Sequence, residues 1–357
     1  MNVDTMASIG ADITRLGVVL EPNGDPKEAE GVLNPATTRA RDGKLLVYPR
    51  SVARGNVSRI GLVEASGAPE NPRFTRVGYA LEPQAPYEVR TGPGGYGCED
   101  PRVTFVPLLD RYVMAYTAFG PVGPRIGIAL SRDGYEWERL GVADFSGHDL
   151  PDGDDKDGVF FPEPVLSPDG VESFAFYHRP MRHVVAIDVC AAAPIVLAKP
   201  PSERECTRIA YVPVDSVLDD RRNLLRVRES ALVLEPGPDW GLIKNGGGTP
   251  PIRIAEGWLS FYHGVDVHAA KDGRCLGMRY CGGLIVHDAE RPHIVRYHSP
   301  APLLAPQTVE ERFGTVNEVV FPTGLDVRPD APERDYDLYY GMADSKVGRA
   351  RVRLNAA

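Results

Sequence analysis

At 357 residues with 43% apolar side chains, the chain has material for one large buried core or two average ones, and intrinsic disorder is excluded. A formal net charge of −9 argues against a nucleic-acid partner, whose phosphates need a basic face, and against an anionic membrane surface. The 37 Gly and 33 Pro fall between short apolar runs and show no collagen-like period, which marks a chain of many turns.

Residues 1–17 lack the basic start and apolar stretch of a secretion signal, and no segment reaches the roughly 20 apolar residues of a spanning helix. A soluble, cytoplasmic protein without a membrane partner is the expectation. Beyond the N-terminus, one local pattern recurs: an aromatic-rich strand, a polar turn, then an alternating apolar strand. The first members are DGKLLVYPRSV (42–52), DRYVMAYTAFG (110–120), GVESFAFYHRP (170–180), EGWLSFYHGVD (256–266) and RDYDLYYGMAD (334–344). Their partners are SRIGLVEAS (58–66), PRIGIALSRDG (124–134), HVVAIDV (183–189), YCGGLIVHD (280–288) and GRARVRL (348–354). Helical patterning is confined to two short stretches, 213–222 and 307–313.

Five copies at intervals of roughly 60 to 85 residues predict an all-β fold, a five-bladed β-propeller occupying 1–357 as a single catalytic domain with a central active-site pocket. Stacked β-sandwich domains would also supply many strands, but not this recurrence. The polar residues that close each first strand (YPR, AYT, YHRP, YHG, YGMAD) would converge near the axis.

Three segments carry candidate chemistry. GGYGCEDPRVTFV (94–106) sets Glu99 and Asp100 on a Gly-rich turn, where either is a candidate general acid or a turn acid paired with Arg102. KDGVFFPEPV (156–165) follows DLPDGDDKD (149–157), which has a calcium-like composition but neither the spacing nor the final Glu of an EF-hand loop, so a solvated loop is expected. In KNGGGTPPIRIAEGWLSFYHGVD (244–266) three glycines allow a close backbone approach, without the Walker spacing of a phosphate loop. The eight histidines show no HExxH, and no GxSxG elbow occurs, so no metal and no serine-hydrolase chemistry is expected. The cysteines Cys98, Cys190, Cys206, Cys275 and Cys281 lack framework spacing, and free thiols in a reducing compartment are expected.

Taken together, NPATTRARDGKLLVYPR, GCEDPRVTFV, KDGVFFPEPV with FYHRP, KNGGGTPPIRIAEGWLSFYHGVD, YCGGLIVHD, NEVVFPTG and YYGMADSKVG resemble glycoside hydrolase family 130, mannoside phosphorylases and related hydrolases on a five-bladed propeller. The motifs span 34–348 in family order. The resemblance implies that Asp100 is the proton donor and that Asn34, Lys244 and Asp344 hold the sugar, with Arg102 in the same substrate-binding set. It implies a phosphate site at Arg50, Lys156, Arg179, His263 and Tyr280, with Arg59 preferred over Arg54 as a further arginine.

An inverting glycosidase needs an acid and a base, whereas phosphate is already a nucleophile and has only to be positioned. One strong acid candidate and a basic set therefore suit an inverting phosphorylase acting on a β-mannoside or manno-oligosaccharide. Inorganic phosphate would be its co-substrate, α-mannose 1-phosphate its product, and no further cofactor would be required. Glu163 and Glu318 are candidate water activators that keep a β-mannoside hydrolase open, and a non-catalytic glycan-binding or interaction propeller is the third reading. The sequence leaves linkage, acceptor and oligomeric state open.

Overall fold

The computed structural model describes residues 9–92, 94–146, 153–182, 189–237, 239–329 and 331–355. Its strands form five antiparallel blades in chain order, the first two joined into one sheet by a short parallel pairing of Val57 and Ser58 with Tyr96 and Gly97. The first comprises Gly31–Arg39, Leu45–Ala53, Val57–Ser66 and Arg73–Leu81, and the second Tyr96–Val106, Arg111–Gly120, Gly123–Ser131 and Glu138–Val142. The third is built from Asp155–Phe160, Glu172–Pro180, Thr207–Pro213 and Glu229–Leu234. Lys244–Gly247, Gly257–Ala269, Cys275–His287 and Val295–His298 make the fourth. The fifth takes Val320–Val327, Asp335–Met342 and Lys346–Leu354, then borrows its outer strand, Ala11–Leu20, from the N-terminal end.

Packing closes the ring. The innermost strand of the first blade touches those of both the fifth and the second. Each of five apolar clusters fills one seam between neighbouring blades: Tyr48 with Tyr112 between the first and second, Val106 with Phe176 between the second and third, Tyr177 with Trp258 between the third and fourth, Leu284 with Leu338 between the fourth and fifth, and Val47 with Tyr339 between the fifth and first. Each such side chain contributes about 1.5–3 kcal/mol through burial. Strands in the second position of a blade are covered on both faces, and Asp335–Met342 is buried throughout. At the rim, Ala11–Leu20 and Arg73–Leu81 alternate or lie largely in solvent.

The aromatic strands that recur in the sequence are these second strands. Two expectations are corrected. HVVAIDV is not the partner strand of the third blade: that position is held by Thr207–Pro213, Val189 opens the helix Val189–Leu197, and residues 183–188 lie outside the described residues. Not all cysteines are free thiols: Cys190 forms a disulfide with Cys275, while Cys98, Cys206 and Cys281 remain free and buried. The two weak helical stretches do contain the short helices Val214–Asp219 and Val309–Arg312. No helix among the described residues is long and apolar enough to cross a membrane.

Candidate active site

At the start of the innermost strands the ladders slip. The pairing register shifts between Leu33 and Ala36, between Glu99 and Arg102, and between Lys156 and Val159. Each bulge holds one residue in the left-handed region: Asn34 (φ 43°), Asp100 (φ 45°) and Asp157 (φ 62°). Asn and Asp accept this conformation more readily than other side chains, and Pro35, Pro101 or Gly158 follows in each case. The bulge re-aims one polar side chain per blade toward the same end of the axis. Asp344 (φ 48°), at the turn after the second strand of the fifth blade, joins them.

Two groups of side chains result. In the first, Asn34 Nδ2 donates to Asp100 Oδ1 at 2.8 Å and Arg50 donates to the same oxygen at 3.2 Å. Arg50 also donates to Glu99 Oε1 at 2.9 Å, and Lys156 Nζ reaches Glu99 Oε2 at 3.0 Å. In the second, Arg179 Nε donates to Asp157 Oδ2 at 2.6 Å, its Nη1 pairs with Glu205, and His263 Nε2 stands 3.7 Å from Asp157. Lys244 Nζ lies 5.6 Å from the Tyr280 ring centre, and the imidazole of His263 lies 6.2 Å from Tyr280 and 4.4 Å from Phe321, two rings whose own centres are 6.3 Å apart. Arg102 bridges the groups from beneath, donating to the Asp100 carbonyl at 3.0 Å and to the Gly247 and Gly248 carbonyls at 3.3 Å, with Asp157 at 3.5 Å.

Glycine is required where the fourth blade meets Asp157. A Cβ built on Gly246 would overlap both the Asp157 carboxylate and the His263 ring. The run of glycines is thus a close packing contact, not a phosphate cradle.

The carboxyls divide by protonation state. Burial pushes Asp100 up, but Arg50, Lys156 and Arg102 outweigh it and hold its carboxyl below the usual range. Asp344, partly buried, feels desolvation together with the negative charge of Asp100 and Glu99, which outweigh the opposing Arg50 and Lys156, so its pKa is pushed up to about 6. Burial, with Arg179, Arg102 and Lys244 adding to it, lowers His263 to about 3, so the ring is neutral. Both its nitrogens are buried without a hydrogen-bond partner, as is Asn34 Oδ1. These are the open valences of the pocket.

The structure thus brings together Asn34, Arg50, Asp100, Lys156, Arg179, Lys244, His263, Tyr280 and Asp344, with Arg102 as a buried strut whose donors face backbone carbonyls. It does not bring Arg59 there. Ser58, which accepts from Arg50 at 2.9 Å, faces the site, and strand alternation turns the next side chain away: Arg59 donates to the Lys27 carbonyl at 3.2 Å and lies 3.4 Å from Glu82. Glu163 lines a separate cavity of about 810 Å³ at the opposite ends of the innermost strands, with Thr37, Phe105 and Arg253. Glu318 is engaged by Arg312 at 2.8 Å. Asp154 of the acidic loop takes Arg125 at 2.7 Å, residues 149–152 lie outside the described residues, and no group of three or more metal-type ligands occurs among the described residues.

Sequence reasoning missed two carboxylates. Asp157 had a signal, its place in the repeated Asx–Pro/Gly bulge. Glu205 had none, because a long loop carries it onto Arg179.

The family model described as beta-1,4-mannooligosaccharide phosphorylase, that of glycoside hydrolase family 130, matches residues 12–192 and 223–356. A 1,2-beta-oligomannan phosphorylase from Thermoanaerobacter sp. (strain X514) is 28% identical over 262 residues, covering 72% of this chain and 69% of that protein. A beta-1,4-mannooligosaccharide phosphorylase from Ruminococcus albus is 37% identical over 118 residues, 33% of each chain. Among solved structures, the beta-1,2-mannobiose phosphorylase of Listeria innocua, in complex with beta-1,2-mannobiose, is similar in fold, with a TM-score of 0.68, 20% identity, and 95% of this chain and 96% of that chain covered.

Proposed function

The chain belongs to glycoside hydrolase family 130, and from that premise we propose that it is an inverting phosphorylase of β-mannosides. A phosphate oxygen attacks the anomeric carbon, the bond to the acceptor oxygen breaks, and that oxygen takes a proton originating on Asp100, directly or through a sugar hydroxyl. The products are α-mannose 1-phosphate and a shortened acceptor. The observation that carries the reading is one carboxyl, Asp100, whose Oδ1 accepts from both Asn34 and Arg50 and which feels the charges of Lys156 and Arg102, with Arg179 in the neighbouring group that Arg102 joins to it.

The electrostatics supply a trigger for the proton. In the free protein Arg50, Lys156 and Arg102 keep Asp100 ionised. A phosphate dianion bound to Arg50 and Lys156 neutralises the charges that depress Asp100 and adds negative charge beside it, so its pKa rises toward that of a usable acid. Asn34, Lys244 and Asp344 take the sugar hydroxyls in this reading, and neutral His263 offers a hydrogen bond. A second reading, hydrolysis, draws on one observation: Glu205 and Asp157 stand on Arg179, where a carboxylate could activate water.

The reverse reaction is the test. Given α-mannose 1-phosphate and a manno-oligosaccharide acceptor, the protein should release inorganic phosphate, and the β-anomer should release none. A preparation that cleaves mannosides yet releases no phosphate in this assay would remove the reading.

A further inference from the structure

Three cations of the pocket are already paired. Arg50 and Lys156 rest on Glu99 and Asp100, and Arg179 divides its guanidinium between Asp157 at Nε and Glu205 at Nη1. The two partners of Arg179 differ in kind. Asp157 is buried in the innermost strand of the third blade, 2% exposed, and shared with Arg102 and His263. Glu205 is carried on the stretch 193–222 that the family model leaves unmatched, and its side chain is 15% exposed. Its backbone carbonyl accepts from the Asn245 amide at 3.2 Å, which fixes the main chain beside Lys244. Burial pushes the Glu205 carboxyl up, but Arg179 and Lys244 outweigh it and keep the group ionised at neutral pH.

We propose that Glu205 is a built-in competitor for the phosphate site: its carboxylate occupies the outer amine of Arg179 that phosphate must take, and phosphate binds by displacing it. The proposal rests on the phosphorylase reading for its ligand. A carboxylate and a phosphate oxygen make the same charge-assisted bond to a guanidinium, so the two exclude each other there. Arg179 does not depend on Glu205 for its position, because Asp157 holds Nε at 2.6 Å. Removing the charge of Glu205 therefore frees a guanidinium edge that stays in place. Glu205 acts on phosphate affinity, not on the chemical step, and the unmatched segment sets that affinity in this chain.

The experiment compares wild type, Glu205→Gln and Glu205→Ala, titrating inorganic phosphate calorimetrically at neutral pH and measuring phosphorolysis over a range of phosphate concentrations. Loss of one competing charge-assisted bond should tighten phosphate binding roughly tenfold or more in both variants. The phosphate KM should fall by the same factor, with mannoside KM within about twofold and kcat at saturating phosphate within about threefold. A merely structural Glu205 would lower kcat or thermal stability and leave phosphate affinity unchanged or weakened, which overturns the proposal. Release of free mannose without phosphate by wild type, lost in Glu205→Gln, also overturns it, since Glu205 would then be activating water. If no protein forms a sugar phosphate but both variants bind inorganic phosphate more tightly, the proposal stands and the phosphorylase reading fails.

Discussion

Replacing Asp344 by Asn should stabilise the protein at neutral pH while impairing it. The carboxyl titrates at about 6 against an ordinary value of 3.8, because it is desolvated, though only partly buried, and lies beside the negative charges of Asp100 and Glu99. Between those two values the folded chain retains a proton that the unfolded chain has lost, so wild-type stability falls as pH rises through this window and is constant above it. The full difference of about two pH units corresponds to at most about 3 kcal/mol at pH 7, and to about 1 kcal/mol at pH 4.5. Asn removes that penalty, and it suits the left-handed backbone at this position (φ 48°) as well as Asp does. Urea unfolding of both proteins from pH 4.5 to 8 gives the comparison. The advantage of Asp344→Asn should grow by about 2 kcal/mol from pH 4.5 to 7 and then level off. In exchange, mannoside KM should rise, a trade of stability for a polar site. A difference that is flat with pH, or a variant less stable than wild type at pH 7, would refute the electrostatic account of the pocket.

Asp100→Asn should lower turnover by about 10² to 10⁴, the range for a positioned acid, with mannoside binding retained in calorimetry; near-wild-type turnover removes its role. Arg179→Gln should raise phosphate KM far more than mannoside KM, and equal changes in the two would place it outside the phosphate site. Gly246→Ala drives a methyl group into Asp157 and His263 and should lower stability by about 1–3 kcal/mol in thermal unfolding; an unchanged midpoint would show that the fourth blade can retreat.

The blade count was legible because the second strand of every blade lies between two neighbours, so its aromatic run (Tyr48, Tyr116, Tyr177, Tyr262, Tyr340) repeats with the ring. The innermost strands were less visible as a repeat: Lys244–Gly247 is four residues long and carries no apolar side chain. They entered the reading through family motifs, and the bulge that aligns Asn34, Asp100 and Asp157 became plain only from the slipped register. Arg59 shows the limit of reading by proximity in sequence, since one residue along a strand reverses the face. The third blade misled for a different reason. HVVAIDV has a strand-like composition, but the chain spends residues 189–206 on a helix and a loop tied to the next blade by Cys190–Cys275 before Thr207–Pro213 takes the third position. No local pattern reports such an excursion, and Glu205 travels with it.

The most direct test of phosphorolysis is a product analysis of manno-oligosaccharides of several linkages, incubated with the protein in the presence and absence of inorganic phosphate and resolved by phosphorus NMR and anion-exchange chromatography. Cleavage should require phosphate and yield α-mannose 1-phosphate in step with the shortened oligosaccharide. Equal release of free mannose under both conditions, with no sugar phosphate, would contradict the account and make water the nucleophile.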